Sequence, residues 1–157
     1  MKPEYRPAMN HVEITALDIR EPEWVVSCRI FTEKILETLD IDGWEVSLAF
    51  CSDEYIRSLN NTYRSIDGST DVLSFPQEEG RQDQDSGPYI AGDIVISLDT
   101  LAENAEKFDI SENEELKRLI IHGILHLCGM DHETNGPEEN MLMLQEKLLR
   151  ETGEDIF

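Results

Sequence analysis

The sequence predicts an α+β fold, a small mixed β-sheet of about four strands packed with about five helices. Three observations predict it. Short runs with alternating apolar residues recur along the first two thirds of the chain. Longer runs with apolar residues at three- and four-residue steps lie between and after them. Strand and helix patterns alternate early and helices dominate late, in the order β α β α β β α α α. The length, 157 residues, is that of one ordinary domain, so a single domain over residues 1–157 is expected.

The first strand is His11–Ala16, where Val12, Ile14 and Ala16 alternate. Pro22 to about Leu39 reads as a helix, with Trp24, Cys28, Phe31, Ile35 and Leu39 on one stripe and Val25 and Leu36 widening it. Pro22 suits its first turn. Asp42-Gly43 marks a turn, and Glu45–Cys51 alternates Val46, Leu48 and Phe50 as a half-buried strand. Ser52 is a plausible N-cap for a helix to about Tyr63, with Asp53 and Glu54 at its N-terminus and Ile56, Leu59 and Tyr63 facing inward. Val72–Phe75 is a short strand stopped by Pro76, and Asp93–Leu98 is another. Between them Gln77–Tyr89 is polar and punctuated by Gly and Pro, which reads as a mobile loop. Asp99–Phe108 is a short helix. Ser111 and Glu114 form a capping box that opens a helix through about Cys128, with Leu116, Ile120, Ile124 and Leu127 as its stripe and Gly129 as its end. Pro137 opens a last helix to Thr152, and Gly153 stops it.

Composition narrows the function classes. Lys and Arg number 13 against 34 Asp and Glu, a formal charge of −21. Such a chain does not coat nucleic acid or an anionic membrane with a broad basic face. Cys28, Cys51 and Cys128 are few and widely spaced, without a C-x-x-C, as expected in a reducing compartment. No apolar run approaches the roughly 20 residues of a spanning helix, and MKPEYRPAMNH has no signal-peptide core. A cytoplasmic protein is the expectation.

The chemistry concentrates in H-G-I-L-H-L-C-G-M-D-H. His122 and His126 are one helical turn apart and leave the same face. Gly129 can take a positive φ and turn the chain back, so that His132 approaches the other two from another direction. Three imidazoles so arranged make three corners of a tetrahedron and leave the fourth to water or substrate. The ligand type suits Zn2+, and also Ni2+ or another divalent metal. The spacing is that of metzincin sites, but the residue after the first His, a glutamate base there, is Gly123 here. The metal geometry is thus present without the peptidase's proton carrier. Asp131 and Glu133 flank His132 and either orient a ligand ring or cap the turn. Cys128 is a possible fourth ligand that would close the site, His11 reads as structural, and Met141 and Met143 read as core.

The second informative segment is L-N-N-T-Y-R-S-I-D-G-S-T-D-V-L-S-F-P, Leu59 to Pro76. Arg57 and Arg64 lie two turns apart on one helix face, with Asn60 and Asn61 between them. Arg64 sits where helix gives way to loop, a suitable place for a bidentate guanidinium to meet a phosphate.

HGILHLCGMDH, TDVLSFP and GDIVIS together resemble the YbeY family of metal-dependent endoribonucleases, over about Val46 to Glu133. The resemblance implies a zincin-like α+β fold and a zinc held by His122, His126 and His132. It implies single-strand-specific RNA cleavage in 16S rRNA 3′-end maturation and ribosome quality control. The implied partners are therefore precursor 16S rRNA, ribosomal particles or ribosome-associated proteins, with no membrane. The arginine of the family's N-x-x-Y-R segment falls on Arg64, which with His122 is assigned to catalysis. Asp71, Ser74 and Asp93 match motif positions in supporting roles. A metalloprotease and a non-catalytic zinc-stabilised module on the ribosome are the rival readings. The charge of −21 leaves only a narrow basic footprint, the metal and Arg64, with Arg57, Lys117 and Arg118 as possible neighbours.

Overall fold

The computed structural model describes residues 9–77, 89–136 and 138–152. The elements are β1 (His11–Ala16), α1 (Val25–Thr38), β2 (Trp44–Cys51), α2 (Asp53–Arg64), β3 (Val72–Pro76), β4 (Tyr89–Ser97), α3 (Leu98–Phe108), α4 (Glu112–Leu127) and α5 (Asn140–Thr152). This is the expected α+β order. Most of the segment read as a mobile loop, together with Pro137 and Gly153, lies outside the described residues.

The sheet order is β1-β2-β4-β3. β1, β2 and β4 run parallel, and β3 pairs antiparallel to β4 at an edge. Alternation along β2 explains the layering. Val46, Leu48 and Phe50 point into the larger core with Phe31, Ile35 and Leu36 of α1 and Ile120, Ile121 and Ile124 of α4. Cys51 points the other way, into a smaller cluster with Ile56 of α2, Leu73 and Val95. α4 is buried on nearly every side, including Leu116, Leu119, Leu125 and Leu127. Its position between the sheet and α5 sets where its histidines emerge.

Three expectations shift. β4 begins at Tyr89, four residues before the alternating run Asp93–Leu98. Gly92 interrupts the pattern with φ 140°, and a Cβ there would lie 2.3 Å from the Phe75 carbonyl oxygen. A register irregularity between Glu45 and Val46 of β2 lies opposite it. α1 begins at Val25 rather than at Pro22, after a turn in which the Trp24 ring packs edge-on against Phe50 at 5.1 Å. On α2 the inward polar residue is Asn60, which donates to the Gly68 carbonyl and fastens the following loop. Tyr63, expected inward, is exposed and meets Phe75 edge-on at 5.5 Å.

Candidate metal centre

Both ends of α4 are fixed locally. The Ser111 hydroxyl accepts from the Glu114 amide at 3.0 Å, as an N-cap should. The Glu114 carboxylate bonds Arg118 at 2.9 Å. At the other end Cys128 is the C-cap and Gly129 has φ 95°. The Gly129 amide donates to the His126 carbonyl at 2.9 Å and the Met130 amide to the Leu125 carbonyl at 3.0 Å. This pair of bonds is a Schellman motif. It reverses the chain within two residues and returns His132 to the face that carries His122 and His126.

The three rings meet. Their centroids are 4.7 Å (His122–His126), 5.2 Å (His122–His132) and 5.7 Å (His126–His132) apart. Each Nδ1 faces a carbonyl-type oxygen. For His122 it is Gln145 Oε1 at 2.7 Å, for His126 the Met130 carbonyl at 3.1 Å, and for His132 the Thr134 carbonyl at 2.8 Å. These oxygens only accept, so each Nδ1 carries the proton and each Nε2 presents a lone pair. The Nε2 atoms of His122 and His126 are 3.1 Å apart, and one ligand atom from each of the three rings falls within 4.8 Å of the others. A tetrahedral zinc with bonds of about 2.0–2.1 Å separates its nitrogen ligands by about 3.3 Å. The donor set therefore fits a divalent cation of zinc's size. Burial pulls the imidazole pKa values of His122 and His126 below their ordinary range, favouring the neutral, metal-binding form near pH 7.

The sequence left Asp131 and Glu133 either to orient a ligand ring or to cap the turn. For Asp131 it is the second: its carboxylate accepts from the His132 amide at 2.8 Å and caps the turn. Two of the three ring partners are backbone carbonyls. The third, Gln145 of α5, was missed: it is a polar residue inside a helical apolar pattern, and its partner lies on another helix. Cys128 is exposed and outside the cluster, and so is His11. Met141 is core, whereas Met143, expected beside it, is exposed.

The cluster opens into a cleft of about 880 Å³ between β3 and α4. Val72, Ser74 and Pro76 line it from alternate positions of β3, and Glu115, Leu119 and His122 line it from α4. Asp71 and Ser74 thus reach the cleft, while Asp93 is exposed on β4 and does not line it. Arg64 is the last residue of α2, and its Nη2 donates to the Ser74 carbonyl at 3.4 Å, which lays the guanidinium on the cleft wall. The Ser74 hydroxyl is buried without a hydrogen-bond partner.

The other cations expected near the site are differently engaged. Arg57 is tied to Asp67 by bonds of 2.8 and 3.2 Å on the exposed side of α2. Lys117 is buried, its ammonium 5.9 Å from the Phe31 ring. Arg118 reaches the cleft but bonds three carboxylates, Glu114, Glu115 and Glu146. Among the described residues the basic footprint at the cleft is thus reduced to Arg64.

Gly123 has a steric cause. Its position faces the sheet, where a Cβ would lie 2.7 Å from Ile94 Cγ2. A glutamate there, as in the peptidase motif, would have to displace the branched carbon of a buried strand residue.

Comparison with known proteins places these features. A family model described as Endoribonuclease YbeY matches residues 11–153. The endoribonuclease YbeY of Treponema denticola is 54% identical over 120 residues, covering 76% of this chain and 77% of that protein. The endoribonuclease YbeY of Treponema pallidum is 43% identical over 143 residues, covering 90% and 89%. The solution structure of TM1509 from Thermotoga maritima matches with a TM-score of 0.61 at 30% identity, covering 90% of this chain and 88% of that one.

Proposed function

This chain belongs to the YbeY endoribonuclease family, and on that premise we propose that it is a zinc-dependent endoribonuclease acting on single-stranded RNA. One observation carries the reading: a ligand nitrogen from each of three imidazoles converges in the same cleft as Arg64. When bound, zinc supplies Lewis acidity and lowers the pKa of water toward neutrality.

The rest is the work of the chain's own residues. His122, His126 and His132 would hold the metal, their rings fixed by Gln145, Met130 and Thr134. Arg64 binds the scissile phosphodiester through its planar fork and stabilises the negative charge that grows on the phosphoryl oxygens. Its present contact to the Ser74 carbonyl is long, at 3.4 Å, and is readily exchanged for a phosphate oxygen. Gly123 and the buried Ile94 against it weigh against the protease alternative.

In the cell we assign the protein to 16S rRNA 3′-end maturation and ribosome quality control in the cytoplasm. A cleft wall on which, among the described residues, Arg64 is the one cation not held by carboxylates, together with a charge of −21, supports substrate delivery by a ribosomal particle over capture of free RNA. Among the described residues no helix is long and apolar enough to cross a membrane.

The test is RNA cleavage by wild type, His122→Ala and Arg64→Ala in metal-defined buffer, with paired and unpaired substrates. Both variants should lose about 100-fold or more in kcat/KM on unpaired RNA. Wild-type rates in both variants would overturn the mechanism.

A further inference from the structure

His122 Nδ1 lies 2.7 Å from Gln145 Oε1, an oxygen that can only accept, while His122 Nε2 lies 3.1 Å from His126 Nε2. These two contacts make competing demands on one ring. If the His122 proton sat on Nε2, it would be donated to the His126 lone pair, and the two histidines would satisfy each other across the metal position. With the proton on Nδ1, both Nε2 lone pairs stay free. The choice between an open ligand set and a self-paired one rests on the acceptor behind His122.

That acceptor is itself fixed. An amide can rotate by half a turn and present its NH2 group in place of its oxygen. Here Gln145 Nε2 donates to Glu146 Oε2 at 3.1 Å. Glu146 in turn accepts from Arg118 Nε at 2.8 Å and Arg118 Nη2 at 3.1 Å. The Arg118 guanidinium keeps the Glu146 carboxyl below its ordinary pKa range, so it stays an ionised acceptor and holds the Gln145 amide oxygen toward His122. The chain runs Arg118–Glu146–Gln145–His122, with Gln145 buried at 7% exposure. A carboxylate at position 145 could serve His122 but could not donate to Glu146. Only an amide meets both neighbours.

We propose that Gln145 is a positioning residue that holds His122 in its metal-binding tautomer, and that Glu146 and Arg118 set the orientation of the Gln145 amide. The proposal rests on His122, His126 and His132 being the metal ligands. It makes α5, which carries Gln145, an integral part of the centre. It also gives Arg118 a task that explains why a cation at the cleft is bound to carboxylates.

The experiment compares Gln145→Leu, which keeps volume without a strong acceptor, with Gln145→Glu, which keeps the acceptor. Zinc affinity is measured by competition with a chromophoric chelator. The ring 15N shifts of the metal-free proteins report the His122 tautomer. Gln145→Leu should bind zinc 10–100-fold more weakly and move His122 toward the Nε2–H form. Gln145→Glu should stay within about threefold of wild type and keep the Nδ1–H form. Wild-type affinity and tautomer in Gln145→Leu would overturn the proposal and leave the metal site standing. Equal loss in both variants would also overturn it, because packing rather than the acceptor would then be responsible. A wild-type protein that binds no zinc would overturn the metal-site reading itself, and the proposal with it.

Discussion

At the residue scale the centre depends on atoms that are identical in composition and different in direction. Each of the three histidines has an oxygen at its Nδ1, which turns its other ring nitrogen toward metal binding. His122, His126, Gly129 and His132 were legible in the sequence because their geometry is local: one helical turn, one left-handed residue and three more residues. Arg64 was legible for the same reason, as the end of a helix before a loop. Gln145 was not, since its partner His122 is 23 residues away and its burial is decided by how α5 docks. Lys117 and Arg118 were misjudged as a surface footprint. Charge is visible in a sequence, and Glu114 and Glu115 lie one turn before Arg118 on its own helix, but the Phe31 ring beside Lys117 and the Glu146 carboxylate on Arg118 come from tertiary packing. Cys28 and Cys51, free and buried, have their thiol pKa values pushed up to about 12, which suits core residues rather than nucleophiles.

At the element scale α4 does most of the positioning. Its capping serine, its apolar stripe and its terminal glycine all acted as the sequence suggested. β4 was shortened in the sequence reading because Gly92 and its irregular register break the alternation that marks a strand. On α2 Ile56 and Leu59 pack inward as their spacing suggested, while Tyr63 is exposed and Asn60 turns in to bind the Gly68 carbonyl. Glu115 of α4 carries an electrostatic cost that can be measured. Burial raises the pKa of Glu115 despite its bond to Arg118. The folded protein therefore takes up this proton at higher pH than the unfolded chain, so ionised Glu115 opposes folding at alkaline pH. Glu115→Gln should raise the urea midpoint at pH 8. The gain should shrink as pH falls through the raised Glu115 pKa, where the wild-type side chain becomes neutral as well. A gain that stays the same from pH 8 to below the ordinary glutamate value of 4.5 would contradict this account.

At the scale of the whole molecule the charge of −21 and an RNA substrate have to coexist. A surface this acidic repels a polyanion except where the cleft presents Arg64 and the histidines that would hold the metal. Few phosphates can be neutralised, so binding to isolated RNA should be weak. Its salt dependence should be shallow, a slope of about −1 to −2 in log K against log salt rather than the steep slope of a basic RNA-coating protein. Nitrocellulose filter binding or fluorescence anisotropy between 50 and 200 mM salt, roughly the range over which that term is usually read, measures the slope directly. Nanomolar affinity for bare RNA with a steep slope would require a basic surface that the described residues do not form, and would contradict this account. The same field explains why delivery by a partner is part of the proposed function.

The central claim is that a metal held by His122, His126 and His132 makes this cleft a ribonuclease. Its most direct test is the metal content of the purified protein, followed by cleavage of unpaired RNA before chelation, after chelation and after zinc is restored. The account predicts about one zinc per chain, loss of cleavage on chelation, and recovery with zinc. Undiminished cleavage by metal-free protein would contradict it.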